Sequence, residues 1–330
     1  MQKDIVLSGM RPTGALHLGN YFGALENWIR LQDEYECYFF VADYHALTTG
    51  YEDTSEFRDN ITNVLIDWLA AGLDPNKCTI FIQSNIKEHA ELHLMLSMNL
   101  PLSWLYRCPT YKDQINQLKD KNIATYGFLG YPCLMSSDIL LYKAKYVPVG
   151  EDQLPHLELT REIARRFNYL YNCEVFVEPQ PLLTEMKVLP GLDGRKMSKS
   201  YNNTIALSDS PETIEKKVMT MITDPQRIRK TDPGHPEVCS VFAYHKFFSP
   251  DEVEEIERQC RNGEIGCVAC KKKLAKNLVS IMAPIYERRL EWMKRIDDIK
   301  DIIRQGNLKA REIAAKTLAE ARKAMNIDWI

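Results

Sequence analysis

The chain has 330 residues, with 42 Lys plus Arg against 45 Asp plus Glu for a formal charge of −3, and it is 45% hydrophobic and 26% charged. That length suits roughly two domains, and the composition is that of an ordinary soluble protein with a sizeable core, which excludes a disordered or collagen-like chain. No run of about 18 apolar residues is present and the start lacks the form of a secretory signal, so a cytoplasmic protein with no membrane partner is expected.

The first hundred residues alternate short β-branched and aromatic runs with longer amphipathic stretches, the pattern of a parallel sheet with covering helices. Strands are expected at Asp4 to Ser8, Cys37 to Ala42 and Thr79 to Gln83, with helices from about Asn20 to Gln32 and Thr54 to Ala71. Asp53 or Thr54 supplies an N-cap for the second helix, and Gly72 supplies its stop. Residues 106–126 are polar and read as a connective excursion from the sheet. A helix near Leu157 to Phe167 and a strand at Glu174 to Val177 complete this α/β half. After about Ser208 the β-like runs cease. Ala314, Leu318, Ala321 and Met325 then fall on one helical face, so residues 1–208 read as a Rossmann-like domain and 209–330 as an all-helical one. The charge divides too: residues 271–330 carry 15 Lys plus Arg against 8 Asp plus Glu, leaving −10 on the rest. A basic helical tail on an acidic body suits a polyanionic partner.

The first expected strand runs into Gly9-Met10-Arg11-Pro12-Thr13-Gly14-Ala15-Leu16-His17-Leu18-Gly19-Asn20. A glycine-punctuated turn entering a helix suits phosphate, because backbone N–H groups and the helix dipole face an anion there and Gly19 admits close approach. His17 and Asn20 are placed to donate to a phosphate oxygen as charge builds. Any strand-turn-helix unit can look like this, so a second element is needed. It is Lys196-Met197-Ser198-Lys199-Ser200, a five-residue string expected by chance in a chain of this size about once in ten thousand. Two lysines flanking Ser198 on a loop can neutralise a leaving pyrophosphate, with Mg²⁺ sharing the charge.

This pair of loops resembles the signatures of class I aminoacyl-tRNA synthetases. The strings Tyr131-Pro132-Cys133-Leu134-Met135-Ser136-Ser137-Asp138 and Val147-Pro148-Val149-Gly150-Glu151-Asp152-Gln153 are more specific and resemble the tryptophanyl-tRNA synthetase family. The resemblance implies that tryptophan attacks the α-phosphate of Mg-ATP and that the adenylate then acylates the 3′ end of tRNA(Trp), without a covalent enzyme intermediate. It assigns Asp138 to the indole N–H, with Leu7, Met135, Val147 and Val149 as pocket walls and Tyr131 and Gln153 at the α-amino end. ATP falls to Arg11, Gly19, Asn20, Asp152, Lys196, Met197 and Lys199, and the chemistry to His17, Asn20, Lys196, Ser198 and Lys199. His45 also lies in a family motif. Phenylalanine would leave the Asp138 carboxylate unpaired in an apolar pocket, a costly state. Three positions depart from the common pattern: Asn20 for a second histidine, Leu7 for a phenylalanine and Arg11 for a glutamine. A two-fold homodimer spanned by tRNA is also implied. A tyrosyl-tRNA synthetase, or a synthetase-like tRNA-binding or regulatory paralogue that no longer charges tRNA, are the alternatives.

Of nine cysteines, Cys239, Cys260, Cys267 and Cys270 cluster as C-x20-C-x6-C-x2-C. Four thiolates suit either zinc or a [4Fe-4S] cluster. A subgroup of the family carries such a cluster beside its anticodon-binding region, with a first gap two residues longer, and the expectation here is the iron-sulfur cluster, with zinc as the alternative.

Overall fold

A computed structural model describes residues 3–108, 123–183 and 189–329. Its five strands, β1 (Ile5–Met10), β2 (Glu36–Val41), β3 (Cys78–Ile82), β4 (Tyr146–Val149) and β5 (Gln180–Leu183), form one parallel sheet in the order β3-β2-β1-β4-β5. The expected α/β class therefore holds, and its first three strands lie within two residues of where the sequence placed them.

After Glu36, β2 reads Cys-Tyr-Phe-Phe-Val without a charged residue and is buried throughout, because both faces of the sheet are covered. Val6, Phe39 and Ile80 face one core, while Leu7, Tyr38, Phe40 and Phe81 face the other. Helices Phe57–Ala71 and Cys267–Met293 cover the first face, and helices Tyr131–Leu141 and Leu154–Leu170 the second.

Two expectations need correction. Glu174 to Val177 is not a strand: Val175 and Phe176 are buried, but the Asn168 carboxamide takes both the Phe176 N–H and its carbonyl, so the backbone is satisfied without a sheet partner. The strand lies later, at Gln180–Leu183. Neither Asp53 nor Thr54 caps the next helix, which starts at Phe57, because Asp53 instead turns back to bind the Ser55 N–H and hydroxyl. Gly72, at φ +124°, does end that helix. Most of the excursion at 106–126 falls on 109–122, outside the described residues.

Beyond Leu207 every regular element among the described residues is helical. The last helix, Ile296–Ala324, does not stand apart from the sheet. It buries Ile299 and Ile303 in one core and Ala310, Ala314, Leu318 and Ala321 in the other, so it crosses the β3 edge between them. Gly306 makes that crossing possible. A Cβ there would lie 1.8 Å from the Ile80 carbonyl oxygen, and the neighbouring Asn307 carboxamide accepts from the Ile82 N–H, covering an exposed strand edge. Gly306→Ala gains about 1 kcal/mol of helix propensity, but the clash is with backbone, which overpacking penalises by roughly 1–3 kcal/mol or more. The net expectation is a lower denaturation midpoint for Gly306→Ala. Gly50→Ala, where a Cβ meets nothing within 4 Å, should leave it unchanged or raise it; equal midpoints for Gly306→Ala and wild type would contradict this packing.

Candidate active site

In an open parallel sheet a ligand site belongs beyond the carboxyl ends of the strands, where the strand order reverses. Here that point lies between β1 and β4, and a cavity of about 430 Å³ opens there. Leu7 and Gly9 of β1 line it with Val147 and Val149 of β4, and Tyr131, Met135 and Asp138 reach it from helix Tyr131–Leu141. Arg11 and Gln153 complete the set, so every residue assigned to tryptophan lies on one cavity wall or another. Gly9 is required: a Cβ would sit 2.4 Å from the Phe40 ring. A helix entering at Leu18 adds Gly23 and Ala24 from its π-helical segment Tyr21–Leu25, a local irregularity that sequence periodicity does not disclose.

Asp138 is 2% exposed and sits in a buried polar network. One carboxylate oxygen accepts from His89 Nδ1 at 2.6 Å and Gln83 Nε2 at 2.8 Å, the other from His45 Nε2 at 2.8 Å and again Gln83 Nε2 at 2.9 Å. Burial alone would push its pKa up, but the hydrogen bonds from His45 and His89 outweigh it and hold the carboxyl at about 2. The side chain is therefore an ionised acceptor whose four lone-pair positions are filled. That differs from the expected lone carboxylate in an apolar pocket. Burying a charge without partners costs too much, and the fold supplies three donors to avoid it.

Gln83 and His89 escaped sequence reasoning. Gln83 directly follows β3, where polar residues of an α/β fold gather, and the Tyr44 N–H binds its Oε1 so that Nε2 faces Asp138. His89 is wholly buried and holds Tyr142 with its other nitrogen at 2.9 Å. A second missed histidine, His156, bridges the Tyr131 hydroxyl at 3.0 Å and Cys108 at 3.3 Å, and burial lowers its pKa. Arg11 donates to Thr49 Oγ1, while its buried Nε meets no hydrogen-bond partner. An orphaned guanidinium nitrogen beside a cavity suits an anionic ligand.

The two loops singled out for phosphate chemistry touch. Lys199 Nζ donates to the Thr13 carbonyl at 2.8 Å and lies 3.3 Å from where a Gly14 Cβ would be. A single bridge pairs His17 with Ala206, just beyond the lysine-serine loop. At the start of their helix Asn20 Oδ1 accepts from the His17 N–H at 3.1 Å. Gly19 leaves room for the His17 ring, 3.0 Å from a would-be Cβ. Desolvation first, and Lys199 second, pull the His17 pKa down to about 4, so the ring is neutral near pH 7. Desolvation also lowers the Lys199 pKa. Met197 is buried in the first core, Lys196 is exposed and Ser198 is half-buried. Asn203, another missed residue, binds the Ser198 N–H, the Lys196 carbonyl and Asp193 through one buried carboxamide. Asp152 is exposed, accepts from Gln153 Nε2 and does not line the cavity.

Cys239, Cys260, Cys267 and Cys270 line one small cavity with Asp224 and Arg227. No set of three or more His, Cys, Asp or Glu residues among those described forms a closed metal site. All four thiols are free. Burial and then the other three cysteines push Cys270 up to about 12, and Cys239 and Cys260 shift the same way. Arg227 Nη1 lies 3.9 Å from the sulfurs of both Cys260 and Cys267.

Residues 2–283 match the family model described as tRNA synthetases class I (W and Y). The tryptophan–tRNA ligase of Thermotoga maritima is 52% identical over 98% of this chain and 99% of that protein, and the one of Aquifex aeolicus 49% identical over the same shares. Among solved structures, tryptophanyl-tRNA synthetase from Campylobacter jejuni, crystallised with ADP and tryptophan, superposes with a TM-score of 0.88 at 33% identity, covering 98% of this chain and 99% of that one. A tyrosyl-tRNA synthetase from Archaeoglobus fulgidus shares the fold at 20% identity and a TM-score of 0.67. Relatives that match it along nearly its whole length and a family model that fits most of it leave one assignment: the chain belongs to the class I tRNA synthetases of the tryptophan and tyrosine type.

Proposed function

We propose that this chain is a tryptophan–tRNA ligase, which activates L-tryptophan with Mg-ATP and transfers it to tRNA(Trp). The observation that carries the reading is Asp138, an ionised acceptor in the wall of a cavity that is otherwise mostly apolar and large enough to admit an indole. Since all four of its lone-pair positions are filled, an indole N–H must take one. His45 is the partner that yields, for it lines the cavity and is 14% exposed, whereas His89 and Gln83 are buried and held from behind. A phenyl ring offers no donor for that exchange, and a phenol places its hydroxyl elsewhere. Discrimination thus comes from trading one hydrogen bond for another.

In the first step a carboxylate oxygen of tryptophan attacks the α-phosphorus of ATP and the bond to pyrophosphate breaks. Arg11, with its unpartnered Nε, meets an anionic group at the mouth of the cavity. Neutral His17 and the amide of Asn20 donate to α-phosphate oxygens, and Lys196 and Lys199 take the charge that builds on pyrophosphate, with Mg²⁺ sharing it. Ser198 and Met197 seat that loop, and Gly19 keeps the backbone open to the nucleotide. Asp152 faces the ribose. Positioning and charge suffice, and no activated nucleophile is required.

Residues 1–208 would form the catalytic domain and 209–330 the anticodon-binding one, in a cytoplasmic homodimer. No helix among the described residues is long and apolar enough to cross a membrane. For the four cysteines we favour a [4Fe-4S] cluster over zinc. Four thiols lining one small cavity are a donor set for a metal centre, and the Arg227 guanidinium beside two of their sulfurs offsets the negative charge of thiolates. The cluster would supply structural cross-linking, with Cys239, Cys260, Cys267 and Cys270 as its ligands.

Tryptophan-dependent ATP–pyrophosphate exchange tests the activity. Exchange with tryptophan and with no other amino acid is expected; exchange with tyrosine would make this the tyrosine enzyme, and none at all would make it a non-charging paralogue. Lys199→Ala should slow exchange roughly 100-fold or more while the tryptophan Kd stays within about twofold, because its contact belongs to the transition state. Comparable losses in both would show that Lys199 serves binding instead. Protein purified without oxygen should contain about four irons and four sulfides per chain, and Cys270→Ser should lose them and charge tRNA poorly. One zinc without sulfide would replace the cluster, and unchanged charging by Cys270→Ser would remove its role.

A further inference from the structure

The buried ion pair outside the cavity is Asp67 with Arg289, whose side chains are 0% and 7% exposed and 2.8 Å apart. Asp67 belongs to helix Phe57–Ala71 and Arg289 to helix Cys267–Met293, the helix that carries Cys267 and Cys270 at its other end. Each donor nitrogen of the guanidinium is engaged: Nε with Asp67, Nη2 with Asn63 Oδ1 at 2.7 Å and Nη1 with Met293 Sδ at 3.0 Å. The second oxygen of Asp67 points the other way and accepts the Leu16 N–H at 2.9 Å. Leu16 directly precedes His17.

A buried pair of this kind gives weak net stability, since desolvation offsets most of the Coulomb attraction. What it fixes is geometry. Around it, Leu207 N–H donates to the Leu16 carbonyl and Leu18 N–H to the Ile205 carbonyl, both from the stretch that follows the lysine-serine loop, and Asn20 Oδ1 takes the His17 N–H. If Asp67 turned, the Leu16 N–H would lose its anchor on helix Phe57–Ala71. The Asp67 carboxylate is also the acidic group whose field reaches Lys199 from behind the glycine turn.

We infer that Arg289 is a positioning residue for adenylate formation: through Asp67 it locks the Leu16 N–H, and so sets the His17 ring against the nucleotide from a helix rooted at the cysteine cavity. The inference rests on the proposed activity, and it adds a residue far along the chain to a site assembled from residues 7–20, 131–153 and 196–199.

The test is tryptophan-dependent ATP–pyrophosphate exchange, with the tryptophan Kd from equilibrium dialysis and a thermal melt on each protein. Arg289→Met should cut exchange kcat by 10- to 100-fold, the range that a displacement of about 1 Å costs, while the tryptophan Kd changes less than twofold. Arg289→Lys, which keeps the charge beside Asp67, should retain kcat within threefold. Should Arg289→Met fold poorly, Asp67→Asn with Arg289→Met removes the uncompensated charge; it should recover the melting temperature and leave kcat low. Wild-type kcat in either the single or the double variant overturns the inference, as does a loss shared equally by Arg289→Lys and Arg289→Met. Absence of exchange in the wild type would instead overturn the proposed activity.

Discussion

A parallel sheet covered on both faces has no room for polar side chains along its strands, and this constraint governs where the chemistry of the molecule can sit. Ionisable groups must gather beyond the strand ends or pay heavily for burial. The crevice between β1 and β4 is the place the topology leaves open, and Arg11, Asp138 and Gln153 converge there from three separate segments. Leu7 and Val147, each one residue past the Val6–Tyr146 pairing of those two strands, become pocket wall.

Two buried carboxylates show different solutions to the same electrostatic problem. Asp138 is surrounded by donors that carry no obligatory charge, two imidazoles and a carboxamide, so it keeps its negative charge and one partner can be exchanged for a ligand. Asp67 is paired with a permanently charged guanidinium and a backbone N–H, neither of which a ligand can replace. Burial raises the Asp67 pKa while Leu16 and Arg289 pull against it, whereas the donors around Asp138 overcome burial outright. A carboxylate built for a ligand and one built for a lock thus differ in the chemistry of their neighbours and not in their depth.

The parts of this picture legible in the sequence are those with a local signature. β2 and β3 announce themselves through unbroken apolar runs, and the two phosphate loops through glycine spacing and an exact five-residue string. The four cysteines do so through clustering. What escaped depends on tertiary partners. Glu174 to Val177 has the apolar content of a strand, yet Asn168 satisfies its backbone, a choice that no window of sequence reveals. Gln83 looks like the polar end of a strand and His89 like a surface residue of a helix, and only the approach of Asp138, some fifty residues later, gives them a role. Asn203 is silent for the same reason: its importance lies in binding the lysine-serine loop backbone.

The helical half illustrates how far such tertiary dependence reaches. Read from periodicity, it is a tail with its own apolar faces, and its basic charge suggests an appendage for a polyanion. In three dimensions helix Cys267–Met293 lies on one face of the sheet, and helix Ile296–Ala324 climbs over the β3 edge to the other. A 27-residue helix extends about 40 Å at 1.5 Å per residue, so one end can line the cysteine cavity while the other reaches the glycine turn through Arg289 and Asp67.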